Sequence, residues 1–225
     1  MSTEYATGGN ILPIYIVCDE SGSMHLNGGI DFINVALSEL HMQIASDPIV
    51  TDKCRIGLIT FSDSAEELMS LTNLADVVAM PGMQPRGRAK YGLVFDLLKT
   101  VISRDIDNLR GEGYRVYRPA VFFITNGVPT DDDMWESSYR RLVDKNTNRH
   151  APNIIAFGVD GADASVIGSI GTVGAFVCND RLVAAEGFGQ FAVTFAADMP
   201  APVLPTRAFA DLEFLPGWVV VELTQ

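Results

Sequence analysis

The sequence predicts an α/β fold: a doubly wound, mostly parallel sheet with one antiparallel edge strand and helices on both faces. Two observations carry this. Short apolar runs alternate along the chain with stretches whose apolar residues recur every three or four positions, so strands alternate with helices. The turn Ser62-Asp63-Ser64 is too short for a parallel crossover, so the strand after it returns antiparallel, as a hairpin.

Taken in order, residues 1–10 are polar and read as a flexible lead. Ile11–Cys18 form the first strand, and Ile30, Ile33, Leu37, Leu40 and Ile44 then mark the apolar side of a helix that Asp47-Pro48 ends. Cys54–Phe61 is a second strand and Glu66–Leu71 a short third. Residues 72–80 are a mixed connection, and Pro81–Gly87 is a loop rich in Gly and Pro. Tyr91–Ile106 is a helix and Asp107–Arg118 a polar connection. Ala120–Thr125 is the most apolar strand and so the central one, and it runs into the turn Asn126–Asp131. Asp131-Asp132-Asp133 caps a helix reaching about Asn146, where acidic side chains suit the helix dipole. Asn153–Val159 is a strand, Asp163–Ile170 a helix, Gly174–Cys178 a strand and Ala184–Ala197 a closing helix. Residues 198–225 form a Pro-rich extension in which Phe214–Leu223 offers an extra strand. Self-packing is the preferred reading of that strand, because an exposed Trp-Val-Val-Val edge is sticky.

A chain of 225 residues, 48% hydrophobic and 20% charged, suits one such domain with an appendage. The net charge of −12 argues against nucleic acid and is compatible with a cation or a basic partner, or simply with solubility. The three cysteines form no Cys-x-x-Cys, and Cys18 and Cys54 read as buried thiols of a reducing compartment. The amino terminus lacks the features of a signal peptide, and no apolar run approaches the ~18 residues of a membrane span, so a cytoplasmic location is expected.

The first strand ends in Asp19-Glu20-Ser21-Gly22-Ser23. Asp19, Ser21 and Ser23 alternate, and a Gly-rich turn can aim their oxygens at one point, as magnesium and other hard cations require. This Asp-x-Ser-x-Ser, together with Ile56–Phe61, Phe122–Asp131 and Ile155–Asp160 in that order, resembles von Willebrand factor A domains across residues 11–197. The resemblance implies a Rossmann-like fold whose metal-ion-dependent adhesion site docks a protein partner, often through the partner's own acidic residue. Asn126–Asp133, and Pro85-Arg86-Gly87 ahead of Tyr91-Gly92, look like the bacterial tellurite-resistance, TerY-like branch. That branch is associated with stress systems and with kinase- and phosphatase-like partners.

Against the family pattern the site is degenerate. The family's ligating threonine falls on Ala89 and its second aspartate on Asn126, leaving Asp19, Ser21 and Ser23. One carboxylate and two hydroxyls hold magnesium weakly unless a partner's acid completes the shell. Three readings of the altered site stay open. Arg88 or Lys90 reaches Asp19 in place of a metal; or both point into solvent; or Glu20, Asp63, Asp131 or Asp160 restores a site nearby. The binding face implied is Asp19, Ser21, Ser23, Arg86, Arg88, Lys90, Asn126 and Asp131.

The reading that results is a non-enzymatic interaction module with weakened or lost cation dependence. A hydrolase needs a base beside its nucleophile, and His25, His41 and His150 give little support. Gly187–Ala192 matches Gly-x-Gly-x-x-Ala but follows no clear strand, so a nucleotide site is not expected. A self-assembling component that uses the C-terminal strand is the alternative.

Overall fold

Strand β1 (Asn10–Asp19) is the axis of the sheet in the computed structural model, which describes residues 8–26, 28–127, 129–130, 134–178, 180–197 and 217–224. It pairs in parallel with β2 (Cys54–Phe61) on one side and β5 (Ala120–Thr125) on the other; the two-residue β4 (Arg115–Val116) pairs with its first residues. The order across the sheet is β3 (Ala65–Thr72), β2, β1, β5, β6 (Asn153–Gly158), β7 (Gly174–Cys178), β8 (Trp218–Val220). Strand β3 is antiparallel, as the short turn requires. Strand β8 is antiparallel as well, pairing Trp218 with Cys178. The expectation of one antiparallel edge is therefore corrected to two, one at each end of the sheet.

Side-chain alternation on β1 divides the core. Leu12, Ile14, Ile16 and Cys18 face the layer that contains α2 (Gly29–Ala45) and α7 (Arg181–Ala197). Tyr15 and Val17 face α4 (Tyr91–Gly111), α5 (Met134–Val143) and α6 (Ala164–Ile170). Every residue of β5 is buried, since a central parallel strand is covered on both faces.

Local chemistry moved several boundaries. Pro48 starts the short helix α3 (Pro48–Lys53) directly after α2: Asp47 caps it by accepting the N–H groups of Ile49 and Val50, and proline suits the first helical position. A helix α1 (Ser23–Leu26) follows the Asp19 turn, and a 3-10 turn covers Leu74–Asp76. Helix α4 runs past Ile106 to Gly111 because Leu109 is still buried; Asp107 and Asn108 are only its solvent side. The expected lead begins the sheet at Asn10, and Gly8 donates its N–H to the Gly113 carbonyl.

The Trp218 ring is 6% exposed, lies edge-on to Phe157 (5.1 Å) and Phe32 (6.0 Å), and donates its indole N–H to the Ala184 carbonyl at 3.0 Å. Val221 and Thr224 continue the attachment by donating to the carbonyls of Ala175 and Gly168. Residues 198–216 lie outside the described residues.

At the pole where the parallel strands begin, His150 is buried and Arg110 donates to its Nε2 at 3.1 Å. An arginine cannot accept, so the ring is neutral and carries its proton on Nδ1. Burial, then the charges of Arg149 and Arg110, hold its pKa below the ordinary value, with Asp107 opposing weakly. As pH falls below about 6.5 the unfolded chain takes up this proton before the native state does, so stability is lost on acidification. Melting curves from pH 7.5 to 5.5 should show a smaller decline for His150→Gln than for the parent.

Candidate functional site

Asp19 ends β1 fully buried, between Phe61 of β2 and the end of β5. Its Oδ1 accepts the Ser21 N–H at 2.8 Å, which folds the turn back, and its Oδ2 accepts the Thr125 hydroxyl at 2.6 Å. Thr125 Oγ1 in turn accepts the Gly127 N–H at 3.1 Å. Tyr91 places its hydroxyl 2.8 Å from Thr125 Oγ1 and 2.7 Å from the Gly127 carbonyl, so its single proton serves one of the two. Burial raises the Asp19 pKa; the bonds from Ser21 and Thr125 oppose that, and the charge of Glu20 adds to it.

Above this carboxylate the remaining oxygens converge. Ser21 Oγ and Ser23 Oγ are 3.0 Å apart, and Ser23 donates to Asn126 Oδ1 at 3.0 Å. Asp19 Oδ2 and Ser23 Oγ each lie 3.9 Å from the point where a Cβ on Gly127 would sit. The expected ligands Asp19, Ser21 and Ser23 thus come together, with Asn126 beside them. The donors are one carboxylate, two hydroxyls and one amide oxygen. They fit a hard cation in type and carry a single charge toward it.

The loop before α4 is bound to this turn. The Arg86 N–H donates to the Glu20 carbonyl at 2.6 Å, and Gly22 donates to the Gly87 carbonyl at 3.0 Å. The Arg86 guanidinium pairs with the buried Glu20 carboxylate and, at 3.1 Å, with Glu66. Gly87 has φ +60, and a Cβ there would meet the Asp63 carboxylate at 2.4 Å, so this approach requires glycine. Ala89 is buried in the α4-side core, and its carbonyl takes both the N–H and the hydroxyl of Thr130.

The expectation that Arg88 or Lys90 neutralises Asp19 is not met. Lys90 pairs with Asp63 at 3.4 Å, and Arg88 is exposed, with no ion-pair partner among the described residues. The loop's path sends Lys90 along the β2–β3 turn, where its N–H also meets the Ser62 carbonyl. Nearby carboxylates do not rebuild the site either. Glu20 is held by Arg86 and Asp63 by Lys90, while Asp160 lies against Gly29 at the start of α2, a favourable place for an anion. Among the described residues no cluster of three or more His, Cys, Asp or Glu can hold a metal. Asp131 lies outside the described residues.

Sequence reasoning missed Thr125, Tyr91 and the Glu20–Arg86 pair. Thr125 could have been found as a polar residue closing an apolar strand beside Asn126; Tyr91 leaves no signal beyond an apolar helical position. Tyr91→Phe removes one bond to the Asn126-Gly127 turn and should cost about 1 kcal/mol, measured by urea denaturation.

The von Willebrand factor type A domain model matches residues 14–192. The chain belongs to this family. No curated protein sequence matches it. Among solved structures, the von Willebrand factor type A protein of Catenulispora acidiphila has a TM-score of 0.62 at 11% identity, covering 84% of this chain and 43% of that one. Proximal thread matrix protein 1 from the mussel byssus gives 0.57 at 14% identity, covering 84% and 49%. Its form with a zinc-occupied metal-ion-dependent adhesion site gives 0.53 at 14% identity, covering 85% and 48%. At these identities the likeness shows the fold alone. The von Willebrand factor A chain described here spans less than half the length of these solved structures. Among its described residues no helix is long and apolar enough to cross a membrane.

Proposed function

We propose that this chain is a non-enzymatic von Willebrand factor A module that docks a protein partner through the loops at the carboxyl ends of its parallel strands. The observation that carries this is the convergence of Ser21, Ser23 and Asn126 oxygens over the buried Asp19 carboxylate. Asp19, Ser21 and Ser23, with Asn126 Oδ1, would hold a divalent cation there. The cation would supply a positive point for a partner's carboxylate to bind. Its hold is weak, because a single charge faces it and Ala89 offers no side-chain oxygen. The zinc-occupied site of the mussel byssus protein supports a divalent ion at this place in the fold.

The loop cations define the partner's side of the contact. Arg86 and Lys90 are occupied by carboxylates of this chain, while Arg88 is exposed beside the site. Arg88 is therefore the cation offered to an acidic partner, of kinase- or phosphatase-like type if the chain acts in a bacterial tellurite-resistance or stress system. An enzymatic reading finds no base: the hydrogen-bond neighbours of Ser23 among the described residues are Ser21 and Asn126. Assembly through the C-terminal strand is disfavoured because β8 pairs with the chain's own β7.

The test is affinity capture from the source cell. The parent should retain a protein that Asp19→Asn and Arg88→Glu each lose, by about tenfold or more for Arg88→Glu, given the worth of a charge-assisted bond. Equal capture by all three would overturn the assignment of this face.

A further inference from the structure

We propose that the pole opposite the Asp19 face carries a binding site for a single phosphate-type oxyanion, built from Arg110, Arg118, Arg149 and His150. These four side chains line one cavity of about 200 Å³. They come from rigid places: the last turn of α4, the residues just before β5, and the turn leading into β6. The cavity is anomalous in a chain of net charge −12, because three guanidiniums share it.

Most of that charge is not neutralised. Among the described residues neither Arg110 nor Arg118 has a carboxylate partner; Arg149 shares Asp107 at 3.1 Å, on the exposed rim. Arg110 uses Nη1 on His150 Nε2, and Arg118 uses Nη1 on the Ala151 carbonyl at 2.6 Å. Each guanidinium carries five N–H donors, so both keep donors beyond these bonds. Both are also fixed in place by them, which lowers the ordering cost of binding an anion. The neutral His150 ring reports the same field, since Arg149 and Arg110 both disfavour its charged form.

The ligand class follows from charge and size. Several guanidiniums, only one of them balanced, favour a dianion over a monoanion, and their fork matches phosphate oxygens. About 200 Å³ lies below the roughly 300–1,000 Å³ of sites that enclose drug-sized ligands. It suits one phosphoryl group, not a nucleotide.

The test is a titration of the full chain with inorganic phosphate at constant ionic strength, followed by calorimetry and by the His150 ring resonances, with chloride as the control. One saturable site is expected, with the His150 signal moving in step. Arg118→Gln and Arg149→Gln should each weaken it by about 10- to 100-fold, the worth of a charged hydrogen bond. Asp107→Asn should tighten it by releasing Arg149, and Asp19→Asn should leave it unchanged, which separates this site from the partner-docking face. Arg149 is 72% exposed, so its variant decides the matter if Arg118→Gln fails to fold. An equal response to chloride, no saturation, or parent-like binding by the arginine variants would overturn the proposal.

Discussion

Trp218→Ala is expected to destabilise the domain by about 3–5 kcal/mol, as loss of a buried tryptophan does. The ring is packed edge-on against Phe157 and Phe32, and its N–H holds the Ala184 carbonyl near the start of α7. Truncation leaves a cavity at the edge of the α2–α7 core and removes the only side-chain anchor of a three-residue strand. The melting temperature should fall on the order of 10 °C for a domain of this size. Urea denaturation should show a lower midpoint with an unchanged slope. Trp218→Phe keeps most of the packing and should lose well under half as much. A loss below about 1 kcal/mol for alanine would mean that β8 is not part of the cooperative unit.

Asp19→Asn is expected to separate stability from binding. The amide keeps an oxygen for the Ser21 N–H, and Thr125, which donates to the carboxylate, can turn to accept from the new NH₂. The substitution also removes a charge that burial penalises. The sign follows from linkage. Because the native carboxyl has a raised pKa, the native state keeps its proton longer than the unfolded chain. Stability is full below the ordinary carboxylate pKa and is lost as pH rises through the native value. At neutral pH the asparagine variant should therefore be as stable as the parent or more so, and should lack that decline.

Binding moves the other way. Manganese titration should detect a weak site in the parent and none in the variant. Losing even an outer partner of a metal ligand costs about 10–100-fold, and Asp19 is the only charged group in the set. A variant that loses stability but retains manganese would show that Asp19 serves the fold and not a cation.

The contrast between these residues shows what was legible. Asp19, Ser21 and Ser23 could be placed at the end of β1 because apolar runs and their endings are local: a strand must stop where buried backbone gives way to a turn. Asn126 followed in the same way, from the end of β5. Pro48 misled, since proline ends one helix and begins another with equal ease, and only the Asp47 cap distinguishes the two.

Partners of charged side chains were not legible. Arg86, Arg88 and Lys90 lie within five residues, yet one holds Glu20 and Glu66, one faces solvent and one holds Asp63. The sequence by itself determined the strand–helix order, the sheet class and the oxygen-bearing turn at the end of β1, because each follows from the spacing of neighbouring residues. Only the tertiary structure decided that Asp19 is answered by Thr125 and not by a cation, and that Trp218 closes the chain's own sheet. Those choices depend on how segments about a hundred or forty residues apart pack together, and short-range periodicity carries no record of that.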